Sequence, residues 1–488
     1  MIRNLPHDFV LGATISAYQA EGGARLGGRV PSSWDSWYHR EESPFNGDMA
    51  SGFYQHFKDD IRNCAKFNIK SLAISLSWPR IIKNEQGTVN GDGIEFYNAV
   101  IDECLACGIE PWVALYHFDT PEFIFSQGEW LSPHTVEQFL CYAKVCFTNF
   151  GDRVRHWITL KDPVSQVNNG YVAGLFPPGE HYELLKATQA LHKMLVAHAR
   201  TVNLFKSLDL VGEIGIVHRA EAIYPVVGSA ANERSAYVED VFLNRILLDA
   251  VLGGNYSKDT LRTVNEILTR EDDSFAPAAE EMAQLMDAAE NMDFLGINYY
   301  TSHFVEAYDG ADVIKHNSRG ERGTDKYALG GVARRLARED VPTTDWDWSI
   351  FPHGLYDMLL RLHEKYPSKP LYITENGIGL RENLTAPKDS RQAIVEDDDR
   401  IDYIRQHLAA VLDAVDEGVD VRGYFVWSLV DAMSWTNGYD KRYGLFFVDY
   451  EDKKLTRYPK KSAYWLSDLA QKRIMLTALA FGGKMIAY

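Results

Sequence analysis

Cysteine and positive charge are both scarce in this chain. Its 488 residues contain five cysteines, and 50 Lys and Arg residues stand against 68 Asp and Glu residues, which gives a formal net charge of −18. So few cysteines, and an odd number of them, argue against a disulfide-based scaffold. The acidic balance argues against nucleic acid as a partner, because non-specific binding to it requires a basic surface. A small anionic ligand is compatible with this balance, since a few local cations can bind one phosphate.

Apolar runs long enough for a membrane span or a secretory signal are also missing. Residues 1–12 contain no extended apolar core followed by a small-residue cleavage site. Residues 475–488 are apolar but include a lysine and two glycines, and they are too few to cross a bilayer. We therefore expect a cytoplasmic protein with reduced thiols, no membrane partner and a packed C-terminal tail.

Short apolar segments alternate with longer amphipathic segments along the whole chain, and no linker or repeat interrupts them. Helical periodicity predicts helices, for example over residues 93–107, 135–150 and 401–417. Several short segments are almost continuously apolar, as is typical of parallel strands covered on both faces. The eight predicted strands cover residues 9–13, 71–77, 110–116, 154–160, 213–218, 293–298, 371–375 and 423–428.

This alternation predicts an α/β fold, a single (β/α)8 TIM barrel with loop insertions that forms one domain over residues 1–488. A doubly wound open sheet is the structural alternative. Such a sheet would carry a glycine-rich phosphate turn after its first strand. The sequence at that point, Gly12-Ala-Thr-Ile-Ser16, does not supply the GxGxxG pattern.

Polar, ionisable and aromatic residues collect at the C-terminal ends of five predicted strands, where a barrel places its active site. They are His117 and Asp119 at the third strand, Lys161 and Asp162 at the fourth, Asn298 and Tyr300 at the sixth, Glu375 and Asn376 at the seventh, and Trp427 and Ser428 at the eighth. Retaining glycoside hydrolysis requires two carboxyl groups about 5–5.5 Å apart, one as nucleophile and one as acid/base. Glu375 and Asp162 are the catalytic candidates, because strands seven and four lie across the barrel mouth from each other.

Several segments resemble family 1 glycoside hydrolases, in the same order along the chain. Ile373-Thr-Glu-Asn-Gly377 is similar to the nucleophile signature of that family. Further similar segments are residues 9–22, 77–81, 117–119, 296–300 and 427–428, and the resemblance extends from about residue 8 to Trp465. The resemblance implies a retaining glycosidase mechanism that needs neither a metal nor an organic cofactor.

The resemblance also implies a role for each matching residue. Glu375 would be the nucleophile, with Arg80 and Tyr300 beside it to keep it ionised and oriented. The residues expected to contact the sugar are Gln19, His117 and Asn298 through hydrogen bonds, and Trp427 through stacking beneath the ring.

The segment after the eighth strand resembles the 6-phospho-β-galactosidase branch of the family. In the glucosidases that act on unphosphorylated sugars, a Glu usually precedes a Trp here, whereas in this chain Ser434 precedes Trp435. The resemblance assigns Ser434, Lys441 and Tyr443 to a sugar 6-phosphate and Trp435 to the sugar near O4. A hydroxyl, an ammonium and a phenol suit a phosphate monoester of charge about −1.5 to −2. The expected partner is a small phosphorylated β-glycoside such as lactose 6-phosphate, with a 6-phospho-β-glucoside as the alternative.

The chain departs from the family at the acid/base motif, which is usually Thr-(Phe or Leu)-Asn-Glu-Pro and here is Thr159-Leu-Lys-Asp-Pro163. Asp162 is one methylene shorter than Glu, which retracts the carboxyl group by roughly 1.5 Å. Lys161 replaces the Asn that binds the sugar 2-hydroxyl, and its charge near Glu375 favours an ion pair. Three hypotheses follow: a slower hydrolase with Asp162 as acid/base, a hydrolase for good leaving groups, or a non-catalytic sugar-phosphate binder. We expect leaving-group contacts from the loops at residues 176–182 and 305–335.

Overall fold

The centre of the molecule is a closed barrel of parallel strands, as expected from the sequence. The computed structural model describes residues 2–40, 43–384 and 394–477. Each barrel strand pairs with the next along the chain, and the eighth pairs with the first, which closes the barrel. The strands are β1 Val10–Ile15, β2 Ser71–Ser75, β3 Glu110–Ala114, β4 His156–Lys161, β5 Glu213–Arg219, β6 Phe294–Asn298, β7 Leu371–Asn376 and β8 Val421–Trp427. All eight predicted strands are confirmed.

A long helix follows each barrel strand in the part of the chain that the structure describes. In the helix Thr135–Phe150, the apolar side chains of Phe139, Ala143 and Phe147 recur at helical spacing and are buried, while Glu137 and Lys144 face solvent. The predicted helices 93–107, 135–150 and 401–417 correspond to Gly91–Ala106, Thr135–Phe150 and Asp398–Asp416. The helices are α1 Phe53–Lys66, α2 Gly91–Ala106, α3 Thr135–Phe150, α4 Leu184–Ser207, α5 Ala279–Asn291, α6 Pro352–Lys365, α7 Asp398–Asp416 and α8 Lys461–Lys472.

Shorter helices lie in the connections. α-Helical segments are Ala17–Ala20, Ser33–Tyr38, Trp78–Ile81, Glu122–Phe125, Pro163–Val167, Ala230–Asp240, Ile246–Leu252 and Lys258–Leu268. Single turns of 3₁₀-helix are Glu129–Leu131 and Thr269–Glu271, and π-helical turns are Asn168–Val172 and Val241–Arg245. No helix in the described ranges combines the length and apolar character that a membrane span requires.

The interior of the barrel is filled with side chains rather than open. The packed layer consists of Ala73, Trp112, Ala114, Ile158, Val217, Phe294, Tyr372 and Phe425. Gly12 is required by this packing, because a Cβ at that position would lie 2.4 Å from the ring of Phe425. These side chains leave room for a cavity only at the C-terminal ends of the strands, where the polar residues predicted from the sequence lie.

Three small sheets surround the barrel. A five-stranded sheet, built from segments after β5 and β6, has the order Val313–Lys315, Lys326–Leu329, Ala333–Leu336, Ser302–Glu306 and Ala222–Pro225. The strand pairs Ile2–Asn4 with Ile474–Leu476 and Phe446–Val448 with Arg457–Pro459 complete the set. Of the C-terminal tail predicted to pack, residues 475 and 476 belong to the first of these pairs, and residues 478–488 lie outside the described residues.

Candidate active site

Glu375, the predicted nucleophile, lies near the end of β7 with its side chain only 4% exposed. The hydroxyl group of Tyr300, just after β6, donates a hydrogen bond of 2.7 Å to Glu375 Oε2. The ammonium group of Lys161, the last residue of β4, forms an ion pair with Glu375 Oε1 and donates a 3.2 Å hydrogen bond to Thr14 Oγ1. Both carboxylate oxygens of Glu375 are therefore held in place by donors from strands on either side of the barrel mouth.

The Lys161–Glu375 pair is almost completely removed from water. The Lys161 side chain is 1% exposed, and its ammonium lies 5.8 Å from the centre of the Trp427 ring. A buried pair of this kind is strongly coupled, and loss of either partner would leave an uncompensated charge in the interior. The structure thus brings the nucleophile and the unusual lysine into direct contact.

Asp162 follows Lys161 and is buried in the left-handed backbone region, with φ of 52°. The side-chain amide of Asn298 donates to both carboxyl oxygens of Asp162, at 3.1 and 2.9 Å. Burial raises the pKa of Asp162 to about 7, and the charge of Glu375 acts in the same direction, while Asn298, Lys161 and Arg219 oppose the rise. A carboxyl group with this pKa can hold a proton near neutral pH, as a general acid requires.

Of the residues expected to contact the sugar, Gln19, His117, Trp427 and Trp435 line the same cavity, which has a volume of about 450 Å³. The Gln19 amide donates to the carbonyl oxygen of Met433 at 2.7 Å. His117 Nδ1 is buried and has no hydrogen-bond partner among the described residues. Burial, reinforced by the charge of Lys161, lowers the pKa of His117 well below its usual value, so the imidazole is neutral. Asn298 and Lys161 are not among the residues of the cavity wall: Asn298 is hydrogen-bonded to Asp162 and Thr374, and Lys161 contacts Glu375 and Thr14.

Arg80 does not lie beside Glu375, and the expectation that it supports the nucleophile is wrong. Its guanidinium donates to Glu21 Oε2 at 2.9 Å and to the carbonyl oxygens of Gly22 and Leu26 at 3.2 Å. Arg80 belongs to the short helix Trp78–Ile81 beyond β2, and this turn carries its side chain to the buried carboxylate of Glu21. The cation that contacts the nucleophile is Lys161.

The residues assigned to a phosphate, Ser434, Lys441 and Tyr443, also line the cavity. The Lys441 ammonium is buried and lies 3.6 Å from the centre of the Trp348 ring. It makes no hydrogen bond or ion pair with any residue that the structure describes. Burial, with a further contribution from Arg219, lowers the pKa of Lys441 well below its usual value. The negative charge of Asp325 opposes this shift but forms no direct ion pair with Lys441, so this corner of the cavity presents a cationic group without a contacting counter-ion in the described part of the chain.

Neighbouring charges hold the loop that carries these residues. The carboxylate of Asp431 accepts from Arg442 and from Lys460, each at 2.7 Å, and from the backbone N–H of Gly444 at 2.9 Å. Ser434 and Gly438 exchange backbone hydrogen bonds of 2.8 and 3.0 Å across a tight turn. Arg442 thus stabilises the loop through its ion pair with Asp431, whereas the adjacent Lys441 lines the cavity.

Sequence reasoning missed part of the cavity wall. The lining residues that it did not single out include Arg219, Glu221, His303, His316, Asp325, Arg335 and Trp348. Several of them belong to the five-stranded sheet, in or beside the loop 305–335 that was expected to contact a leaving group. The signal for Arg219 was available, because this arginine ends β5 as the other site residues end their strands.

Comparisons with known proteins agree with this architecture. The family model described as "Glycosyl hydrolase family 1" matches residues 1–475. A 6-phospho-beta-galactosidase of Clostridium acetobutylicum is 45% identical over 97% of this chain and 98% of its own length. One of Leptotrichia buccalis is 43% identical over 97% of this chain and its full length. The structure of a family 1 β-glucosidase from Thermotoga maritima matches with a TM-score of 0.85 and 32% identity, over 98% of this chain and 100% of that one. The chain therefore belongs to glycosyl hydrolase family 1 and is an O-glycosyl hydrolase.

Proposed function

We propose that this hydrolase cleaves 6-phospho-β-galactosides in the cytoplasm, with retention of configuration. The observation that carries the proposal is Lys441, a buried amine that opens onto the cavity holding Glu375 and forms no ion pair with any described residue. A buried charge without a partner is costly, and a phosphate dianion would supply the missing one. The names of the two bacterial relatives support the same substrate class. Phosphorylated sugars are retained inside cells, which supports a cytoplasmic location.

The first half-reaction assigns one task to each carboxyl group. A carboxylate oxygen of Glu375 attacks C1 of the sugar, and the bond from C1 to the glycosidic oxygen breaks. Protonated Asp162 transfers its proton to that oxygen, so the aglycone leaves as an alcohol. The products are a glycosyl ester of Glu375 and an ionised Asp162, and Lys161 loses its carboxylate partner as the ester forms.

The second half-reaction reverses these tasks. Asp162 accepts a proton from a water molecule, whose oxygen attacks C1 and displaces Glu375 as a carboxylate. In the intermediate, the positive charge of Lys161 faces an ionised Asp162 instead of an ionised Glu375. Lys161 therefore disfavours formation of the ester more than its hydrolysis.

The shortened acid/base residue implies a dependence on the leaving group. A misplacement of 1 Å can cost about 10²-fold in rate, and Asp162 is retracted by roughly one C–C bond relative to the usual Glu. Proton donation matters least when the aglycone is a good leaving group. We expect nitrophenyl glycosides to be cleaved much faster than disaccharides, so that this enzyme combines the first two hypotheses drawn from the sequence.

A matched assay with four substrates tests the proposal. The substrates are o-nitrophenyl β-galactoside 6-phosphate, its gluco isomer and the two unphosphorylated counterparts. The expected result is the highest kcat/KM for the phosphorylated galactoside, with abolished turnover in Glu375→Gln. Equal or higher kcat/KM for an unphosphorylated substrate would contradict the phosphate assignment, and preference for the gluco isomer would move the enzyme to the 6-phospho-β-glucosidases.

A further inference from the structure

A second cation, Arg219, faces the corner of the cavity that contains Lys441. Arg219 ends β5 and lines the cavity, and its guanidinium carbon lies 5.0 Å from the ring centre of Trp348 and 5.6 Å from that of Tyr300. Lys441 contacts the same aromatic group, 3.6 Å from Trp348 and 5.6 Å from Tyr443. The aromatic cluster of Tyr300, Trp348, Trp427 and Tyr443 is therefore in contact with two cations.

The two cations are close enough to share one anion. Because the guanidinium carbon lies 5.0 Å and the ammonium nitrogen 3.6 Å from the same ring centre, Arg219 and Lys441 are at most about 8.6 Å apart. Charge-assisted hydrogen bonds of about 2.7–2.9 Å on either side of a phosphate group bring its two partners to a separation of this order. A single phosphate can thus be reached from both sides.

Arg219 has unused capacity for such a contact. One terminal nitrogen pairs with Glu221 Oε1 at 2.9 Å, but the buried Nε has no hydrogen-bond partner in the described part of the chain. Glu221 has further partners nearby, since its Oε2 lies 3.2 Å from His303 Nε2 and the charge of Arg335 also acts on it. The carboxylate therefore keeps a cationic neighbour if Arg219 turns toward a ligand.

We propose that Arg219 is a further binding residue for the 6-phosphate, acting together with Lys441. The inference rests on the proposed function, because it assigns a fourth side chain to the phosphate that Ser434, Lys441 and Tyr443 are proposed to bind. In this arrangement Glu221 competes with the substrate for Arg219, so its negative charge weakens phosphate binding. Arg219 thereby contributes to the selection of phosphorylated over unphosphorylated sugars.

Binding of galactose 6-phosphate, measured by calorimetry, separates this role from recognition of a leaving group, because this ligand has none. Arg219→Met should weaken binding of galactose 6-phosphate by about 10-fold or more, as expected for the loss of a charge-assisted hydrogen bond. Binding of galactose should change less than about 2-fold. Glu221→Gln should leave phosphate binding unchanged or tighten it a few-fold, whereas loss of a purely structural Arg219–Glu221 pair would weaken binding in both variants.

Two further variants complete the experiment. Arg334→Met, whose exposed guanidinium pairs with Glu306 outside the cavity, is the matched control and should bind like the wild type. Lys441→Met tests the proposed function itself with the same ligands. If Lys441→Met loses phosphate selectivity and Arg219→Met keeps it, only the role of Arg219 is overturned. If the wild type binds galactose as tightly as galactose 6-phosphate, the proposed function fails as well.

Discussion

One lysine determines the chemistry of the two catalytic carboxyl groups. Lys161 pairs directly with Glu375, and its charge also acts on the adjacent Asp162. The positive charge lowers the energy of an ionised Glu375, and this direct ion pair is lost when Glu375 becomes an ester. We therefore expect Lys161 to slow the first chemical step rather than simply to replace a sugar-binding amide.

Restoring the usual family residues should raise the rate. Lys161→Asn removes the competing ion pair, and Asp162→Glu extends the carboxyl group toward the glycosidic oxygen. We expect the double variant to exceed either single variant in kcat, because neighbouring catalytic residues act as a unit. The gain should reach about 10²-fold for lactose 6-phosphate, where proton donation is essential, and should be smaller for the o-nitrophenyl substrate.

Steady-state kinetics on both substrates measure this difference. Glu375→Gln in the double-variant background is the control for contaminating activity and should abolish turnover. An unchanged kcat in the double variant would show that Lys161 and Asp162 do not limit the reaction.

The pH dependence reports on Asp162. Because the pKa of Asp162 is raised to about 7, the fraction of protonated acid falls as the pH rises through that value, and kcat/KM should decline on the alkaline side near pH 7. Lys161→Asn removes a charge that holds this pKa down, so the decline should move to higher pH. A pH–rate profile for each protein checks the shift, and an alkaline limb that stays in place or moves to lower pH contradicts it.

At the scale of elements, the loop after β8 contains both residues that hold the loop in place and a lysine that lines the cavity. Asp431 forms ion pairs with Arg442 and Lys460. Lys441, in the same loop, has no hydrogen-bond or ion-pair partner among the described residues. In the free enzyme, the energetic cost of burying Lys441 is offset only in part, by its contact with the Trp348 ring and by the charge of Asp325.

Lys441→Met should therefore stabilise the fold while it removes phosphate selectivity. The expected gain in the free energy of unfolding is about 1–3 kcal/mol, the range for a buried polar group without a partner. The folded protein holds the Lys441 proton more weakly than the unfolded chain does, so the gain should be present at neutral pH. It should disappear above the ordinary lysine pKa of about 10.4, where the unfolded chain also loses this proton. Denaturant unfolding at pH 7 and 10.5 checks both points, and a loss of stability at pH 7 would contradict them.

The barrel could be predicted from the sequence because its strands are buried on both faces. Strands such as β2 and β7 are buried at every position, are mainly apolar and end in polar residues. This pattern can be recognised in the sequence alone. The five-stranded sheet was not predictable in this way. Its strands Val313–Lys315 and Lys326–Leu329 are short and partly exposed, so they lack both a long apolar run and a clean alternation.

Side-chain direction limited the prediction of the site. Glu375 and Asp162 point into the barrel mouth because they lie at or just beyond strand ends, and the strand pattern fixes that placement. Arg80 lies in a short helix, whose turn carries it to Glu21. The position of Arg219 at the end of β5 could be recognised in the sequence, but its contact with Trp348, which is distant along the chain, is formed only in the folded protein.

At the scale of the whole molecule, the proposed substrate and the protein that binds it both carry a net negative charge. The net charge of −18 opposes the approach of a phosphate dianion, but this repulsion is screened beyond about 8 Å at physiological ionic strength. Inside the cavity, Lys441 and Arg219 are shielded from solvent, so their attraction is screened much less. We therefore expect the global charge to favour solubility and the two local cations to determine the affinity for the phosphate.

This balance predicts that galactose 6-phosphate raises the melting temperature of the enzyme and that galactose does so much less. A ligand that binds only the folded state at 100 times its Kd adds about 2.7 kcal/mol to the free energy of unfolding. Thermal unfolding at equal concentrations of the two sugars measures the difference without requiring turnover, so it remains informative even if Lys161 and Asp162 make catalysis very slow. The shift should be much smaller in Lys441→Met and should shrink at alkaline pH, because the depressed pKa of Lys441 means that its charge is lost at a lower pH than that of an ordinary lysine. An equal shift with galactose, or an undiminished shift in Lys441→Met, would show that the phosphate is not bound by the buried cation.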